Sequence, residues 1–390
     1  MGTTLAINPG SSSKKYALYR DGAMALELVF ESATDGFESC TTRRGEQQSC
    51  ESLTREQFDA AFLHVVKACK EYCEREKVAV DTIAVRVVAP GTAFQKHSVV
   101  DDAYLALLKE RESLAPLHIP AIIEEIKSAR AAFPKVRIVA ASDSAFHATL
   151  PPVAREFSIA RVDATECDIH RFGYHGLSVS SVMNRLHPVI GQEFERVVVC
   201  HIGSGVSVTA VKRGVSVDTT MGYSPVSGVP MSTRASDLSA DALLHLMRER
   251  NMKVSEATVY LNNHGGLFGL AGDSDIRHLL ARRAQRDETA VTALSLFAYH
   301  IQKAIVAATV SLQGIDALIF TGTAGFRSAE LRSLIAAQLA YLGIQIDTDK
   351  NDLHVGKEGV IGDHAAPVKV VVVRTDEMRE ISRVAEQRTL

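Results

Sequence analysis

The sequence predicts an α/β protein built twice, as two mixed sheets flanked by helices with a ligand cleft between the halves. Three observations carry this expectation. The 390-residue chain exceeds the length at which a single hydrophobic core usually stops growing. Two apolar strand–turn–strand segments, Leu5–Tyr19 and Val197–Val211, each turn through a Gly-Ser pair, Gly10-Ser11 and Gly203-Ser204. Each is followed by alternating helical and strand periodicities. Glycine lets the backbone approach a ligand closely, while successive N–H groups and serine hydroxyls suit phosphate oxygens, so two such turns suggest two phosphate grips. Either turn alone reads better as an ordinary hairpin, and only the repetition favours the phosphate reading.

The first half opens with a meander of strands at 4–9, 15–20 and 25–31, followed by a polar stretch to about residue 54. Phe58, Phe62, Val65, Val66, Cys69 and Cys73 recur at helical spacing and predict a helix over 55–75. A buried strand at 82–88, helices near 101–113 and 119–131, and a strand at 136–142 follow. Pro151-Pro152 marks the expected domain boundary. In the second half, 196–211 and 215–220 continue the strand pattern into a loop rich in Gly, Pro and Ser from 222 to 237. A helix at 287–313, a strand at 317–321, a helix near 328–343 and a strand at 368–373 complete it.

Hydrophobic residues make up 46% and charged residues 23%, an ordinary balance for a folded enzyme. The formal charge of −3, from 43 basic and 46 acidic residues with no concentrated Lys/Arg face, argues against nucleic acid or an anionic membrane as partner. Six scattered cysteines without CxxC spacing fit a reducing compartment, with Cys69 and Cys73 as small core residues. Neither a leader-like N-terminus nor a run of about 18 apolar residues stands out, so a cytoplasmic protein is expected.

Polar residues at strand ends and in Gly-rich loops are the candidates for chemistry: Asn8, Arg86, His118, Asp143, His175, His201, Arg234 and Glu377. Arg86 interrupts Ile83-Ala84-Val85-Arg86-Val87-Val88, and a guanidinium there needs an anionic partner, in a structural ion pair or in a substrate. Asp143 and Glu377 each follow an apolar strand and suit Mg²⁺, which takes one or two carboxylates plus substrate phosphates; helix capping is the competing role for Glu377. Zinc spacing, the P-loop, the kinase His-Arg-Asp set and a Gly-x-Ser-x-Gly elbow are all absent.

Together these segments resemble the acetate/propionate kinases, members of the duplicated actin, Hsp70 and sugar-kinase (ribonuclease H-like) fold. The resemblance rests on Asn8-x-Gly-Ser-Ser-Ser-x-Lys15, Arg86-Val87-Val88, Ala115-Pro116-Leu117-His118, Asp143-x-Ala145-Phe146-His147 and Gly173-Tyr174-His175-Gly176. It continues through His201-x-Gly-x-Gly205, Asp218-Thr219-x-Met221-Gly222, Thr233-Arg234, Asp275-x-Arg277 and Thr375-Asp376-Glu377. It implies domains at 1–150 plus 378–390 and at 151–377, the second holding the nucleotide and a homodimer interface. The implied reaction is reversible in-line transfer of the γ-phosphoryl of ATP to a short carboxylate, acetate or propionate, with Mg²⁺ or Mn²⁺.

By resemblance Arg86, Asp143, His175 and Arg234 are catalytic, and Asn8, Asp143 and Glu377 hold the metal. Val88, Leu117, His118, Tyr174 and Pro225 line the acyl site. Asn8, Ser11, Ser13 and Lys15 serve the phosphates from the first turn, and His201, Gly203, Ser204 and Gly205 from the second. Asp275, Ile276 and Arg277, with Gly322, Thr323, Ala324 and Gly325, meet the nucleoside. Ser204 stands where the family has Asn, and Gly322–Arg327 departs from the usual nucleoside loop, which keeps open another donor such as pyrophosphate or a catalytically weak nucleotide-binding relative. Tyr174 replaces the usual Phe, and a phenol needing a hydrogen-bond partner predicts an acceptor more polar than acetate.

Overall fold

A computed structural model describes residues 2–10, 13–33, 36–116 and 118–387. The chain divides into two compact units, residues 1–145 with 376–390, and residues 146–375. The border between Ala145 and Phe146 precedes Pro151-Pro152, which leads into the short helix Pro152–Arg155.

Unit 1 is built on an eight-stranded sheet of order β5-β4-β3-β2-β1-β6-β8-β7. Strands β1 (Thr3–Asn8), β2 (Ser13–Arg20), β3 (Ala23–Ala33), β4 (Gly36–Arg43) and β5 (Ser49–Leu53) form an antiparallel meander. Strand β6 (Thr82–Val87) then joins β1 in parallel and β8 (Arg137–Ser142) joins β6 in parallel, with β7 (Ser98–Val99) antiparallel at the edge. The central strands carry apolar residues on both faces, as a sheet covered on both sides requires; Leu5 and Ile83 on one face and Ala6 and Ala84 on the other are fully buried. Helix Ala61–Glu76 packs on β2 and β3, Ile119–Ala132 on β6, and Glu377–Ala385 on β1 and β6.

The polar stretch before residue 54 is regular structure rather than loop, since it forms β4 and β5. Strand β5 has no buried residue, so the apolar periodicity that would reveal a strand is missing. Its register puts Cys50 opposite Cys40, and a disulfide joins the two. This corrects the expectation of unpaired cysteines: the pairing depends on strand register, which the spacing of the six cysteines does not show, and it removes the cysteine argument for a reducing compartment. The helix expected over 55–75 breaks at Ala60 into Arg55–Asp59, opened by a Thr54/Gln57 capping box, and Ala61–Glu76.

Unit 2 has a six-stranded sheet of order β11-β10-β9-β12-β14-β13. Strands β9 (Arg196–Ile202), β10 (Val206–Lys212) and β11 (Val215–Thr219) repeat the meander, β12 (Ala317–Thr321) pairs in parallel with β9, and β14 (Lys369–Val372) with β12. Strand β13 (Gly359–Val360) closes the edge. Val197, Val199 and Ile319 pack against Val179, Val182 and Leu186 of helix Gly176–Ile190. The intervening strand residues face the other way, where helix Glu288–Leu312 lies on β9, β10 and β11.

Helix Glu288–Leu312 is 25 residues long, with an 18-residue window of mean hydropathy 1.3. It is the one described helix long and apolar enough to cross a membrane, and it is a core helix that buries Leu294, Phe297, Ile301 and Ile305. The helix expected over 328–343 is shorter, Ala329–Ala336, followed by a 3₁₀ turn at Ala340–Leu342.

Candidate active site

Strands β1, β6 and β8 run parallel, so their carboxyl ends lie along one edge of the first sheet, where open α/β sheets bind ligands. Asn8 ends β1, Arg86 stands one residue before the end of β6, and Asp143 follows β8. Arg86 donates to both oxygens of Asp143, from Nη2 at 3.0 Å and Nε at 3.3 Å, and from Nη1 to Asn8 Oδ1 at 3.2 Å. Glu377 Oε2 lies 3.6 Å from Arg86 Nη1 and accepts from Asn8 Nδ2 at 3.0 Å. Asp376, not Glu377, caps the following helix by accepting from the Arg379 N–H, which leaves the Glu377 carboxylate to this cluster.

The Asp143 side chain is 1% exposed and that of Arg86 19%. Burial works against the Arg86 charge, but Asp143 and then Glu377 outweigh it and raise the pKa, so the guanidinium stays charged. In the first turn, the Ser13 hydroxyl is buried with no hydrogen-bond partner among the described residues, and Lys15 is exposed. Ser11 lies outside the described residues.

A different set gathers around the second turn. His175 adopts the left-handed conformation, φ 61°, immediately ahead of helix Gly176–Ile190. Such a backbone is uncommon for a non-glycine residue, and it often accompanies a functional constraint. Its Nδ1 lies 3.0 Å from Ser207 Oγ on β10, and its ring centroid is 4.3 Å from that of His201 on β9. Arg234 donates from Nη1 to the Pro225 carbonyl at 3.2 Å.

A Cβ built on Gly205 would lie 3.0 Å from His175 Nε2 and 3.2 Å from Arg234 Nη1, so both donors border the space that glycine leaves open. Ser204 is exposed, and its carbonyl accepts from the Ser232 N–H, tying the turn to the segment that carries Arg234. Both clusters consist of hydrogen-bond donors and cations, the first at strand ends with oxygen ligands and the second at a helix start and a loop, a composition suited to anionic oxygens and phosphoryl groups.

The known proteins that resemble this chain agree with that chemistry. Residues 3–383 match the model of the acetokinase family. The chain belongs to the acetokinase family. An acetate kinase from Desulforamulus reducens is 35% identical over 393 aligned positions, covering 98% of this chain and 99% of the relative. A propionate kinase from Francisella tularensis superposes with a TM-score of 0.86 at 29% identity over 99% of both chains. Acetate kinase from Entamoeba histolytica gives 0.84 at 26% identity over the whole of both. The protein is thus an acetate kinase-like phosphotransferase with the expected α/β architecture.

Other expected site residues of this acetokinase fall as follows. Val88 is buried just beyond β6, His118 precedes helix Ile119–Ala132, and Leu117 lies outside the described residues. The Tyr174 ring is buried and its hydroxyl donates to the Tyr223 carbonyl at 2.7 Å. This removes the reason for expecting a polar acceptor, because the phenol already has a protein partner. Asp275 caps helix Ile276–Ala284 and is paired with Arg277, whose hydrogen bond holds its carboxyl down at about 2.

Gly322–Arg327 is a helical turn rather than a loop. Gly322, at φ 76°, passes so close to the Ile202 backbone that a Cβ would lie 2.7 Å from it.

Three residues of this region escaped the sequence reading. Ser207 faces His175, the fully buried Thr321 has a hydroxyl without a partner among the described residues, and Arg332 pins the Gly325 and Phe326 carbonyls at 2.9 and 3.2 Å. Arg332 is wholly buried, and desolvation lowers its pKa to about 10. Ser207 carries a readable signal, being two residues beyond Gly205 on the same strand; Arg332 sits in an amphipathic helix and reads as a solvated residue.

Proposed function

We propose that this acetokinase transfers the γ-phosphoryl of ATP to acetate or propionate, giving ADP and an acyl phosphate, and that the reaction runs in both directions. The observation that carries the reading is the convergence of His175 Nε2 and Arg234 Nη1 on the space beside Gly205. A carboxylate acceptor, with a reference pKa near 4, is ionised at neutral pH and needs no general base. The difficulty is that negative oxygens must approach a negative phosphoryl group, so charge neutralisation and alignment are what the protein must supply.

In this reading a carboxylate oxygen forms the new bond to phosphorus as the bond to ADP breaks in line. Arg234 and His175 donate to the equatorial oxygens, and Arg86 binds the acceptor carboxylate and the migrating group. Ser13, whose buried hydroxyl has no partner among the described residues, donates to a phosphate oxygen. Asn8, Asp143 and Glu377 form an all-oxygen donor set of the kind Mg²⁺ prefers and would hold it. When bound, Mg²⁺ neutralises charge on the donor's phosphate oxygens. With the Tyr174 hydroxyl turned to Tyr223, the acyl site favours a plain alkyl carboxylate.

A homodimer is proposed through unit 2, where the amphipathic helix Ala240–Glu249 has no buried residue and Leu244 is 52% exposed. Light scattering tests it, and a monomer at micromolar concentration would reject it.

The function itself is tested by trapping acyl phosphate as the hydroxamate over acetate, propionate, butyrate and hydroxy acids, with ATP or pyrophosphate as donor. Acetyl or propionyl hydroxamate with ATP and Mg²⁺ is expected. Product with pyrophosphate alone reassigns the donor, and none with either rejects the reading.

A further inference from the structure

The proton inventory of His175 depends on its neighbour Ser207. For His175 to donate to a phosphoryl oxygen, Nε2 must carry hydrogen. In a neutral imidazole that requires the tautomer whose Nδ1 is bare. The Ser207 hydroxyl, completely buried on β10, lies 3.0 Å from Nδ1.

This hydroxyl makes no other side-chain hydrogen bond among the described residues. It can therefore turn its proton either way. Toward a neutral ring it can donate to the Nδ1 lone pair, an arrangement that holds the hydrogen on Nε2. Toward an imidazolium it accepts from Nδ1–H, and Nε2 is again protonated.

A carboxylate or carbonyl at this position would accept only, and would draw the hydrogen of the neutral ring onto Nδ1. The backbone adds to the constraint. Ser207 pairs in register with His201 across β10 and β9, so the hydroxyl is carried on a strand, while His175 is held in its left-handed conformation next to a helix. The His201 imidazole lies 4.3 Å away between centroids, and the Arg234 guanidinium borders the same Gly205 space as Nε2.

We propose that Ser207 is a positioning residue for His175, an amphoteric partner that keeps hydrogen on Nε2 whether the ring is neutral or charged. The inference rests on the phosphoryl-transfer reading for its catalytic consequence, but not for its structural content.

The test is ¹⁵N NMR of the full-length protein with labelled histidine rings, using the His175→Gln variant to assign the signal. The wild type is expected to show the neutral His175 ring as the Nε2–H tautomer. Ser207→Ala should move its ring nitrogens toward tautomer-averaged shifts, and Ser207→Thr, which keeps the hydroxyl, should restore them.

In steady-state assays Ser207→Ala should lower kcat about tenfold or more with KM for the carboxylate nearly unchanged, well short of the roughly 10⁴-fold loss when a partner enforces the wrong tautomer. The Thr variant should recover most of it. An Nδ1–H tautomer in the wild type, ring shifts unmoved by Ser207→Ala, or an effect on KM alone would each overturn the proposal. If the wild type forms no acyl phosphate, the phosphoryl-transfer reading fails while the NMR arm still decides the role of Ser207.

Discussion

The two strand–turn–strand segments begin from one sequence pattern and end in different chemistry. Where β1, β6 and β8 terminate, Arg86 is locked between Asp143, Asn8 and Glu377, so its charge is offset by carboxylates of the same cluster. Around the second turn, His175 lies against the Ser207 hydroxyl and Arg234 donates to the Pro225 carbonyl, contacts with neutral groups that orient each side chain. Removing one partner of the ion-paired cluster leaves a buried charge uncompensated, whereas the donors of the second cluster border the open space beside Gly205.

Replacing the two arginines separates these roles most sharply. Arg234→Ala and Arg86→Ala should each lower kcat by about 10²- to 10³-fold, since each removes a charged donor from the proposed transition state. Stability should divide them. Arg86→Ala leaves Asp143, 1% exposed, without its guanidinium, at a cost of about 3 kcal/mol or more. Arg234→Ala should cost less, since the hydrogen bond it deletes to the Pro225 carbonyl is to a neutral group. Urea denaturation of the two variants measures the difference, and equal losses of stability would erase the contrast drawn here.

The turn glycines give the next largest effect. A Cβ on Gly10 would lie 2.5 Å from the Ser13 carbonyl oxygen, so Gly10→Ala must move backbone. A Cβ on Gly205 meets the ends of the His175 and Arg234 side chains instead. Gly205→Ala should therefore lower kcat by about tenfold or more while the melting temperature barely moves. Gly10→Ala should lower the melting temperature clearly. Calorimetry beside steady-state kinetics checks both.

Which parts of this were legible in the sequence follows from what each residue does locally. Strands with fully buried runs, such as Ala317–Thr321, declare themselves by composition, and the strand–turn–strand repeats located both meanders. Strand β5 did not, because none of its residues is buried, and the Cys40–Cys50 bond depends on a register that spacing does not encode. At the site, Arg86 was legible as a charge inside an apolar strand, whereas Ser207 looked like any serine of a strand until His175 stood beside it. The Tyr174 hydroxyl was misread for the same reason: its partner is a backbone carbonyl 49 residues away, invisible to any side-chain pattern.

Acid should loosen the first cluster through His97. Its Nδ1 accepts the Ser142 N–H at 3.1 Å, one residue before Asp143, and burial holds its pKa below the ordinary value. A depressed folded-state pKa means that the folded protein takes up the proton less readily than the unfolded chain. The contribution is therefore complete above the unfolded value, near 6.5, and is lost as the pH falls through the lower folded-state pKa. The melting temperature of the wild type should drop between about pH 7 and about pH 5 more than that of His97→Gln, which can still accept from Ser142 but does not titrate. Parallel curves would remove His97 from the account.

The smallest expected effect tests how the second cluster is shaped. Tyr174→Phe deletes the hydrogen bond to the Tyr223 carbonyl and leaves that carbonyl without this donor, a loss of about 1 kcal/mol. The segment Tyr223–Pro225 also supplies the carbonyl that accepts from Arg234, so loosening one end should blur the placement of the guanidinium. A rise of about two- to fivefold in KM for acetate is expected, with a smaller change in kcat. The preference between acetate and a hydroxy acid should stay the same, because the phenol is spent on the protein rather than on the acceptor. A shift of that preference would return the hydroxyl to the substrate and restore the polar acceptor that the sequence alone suggested.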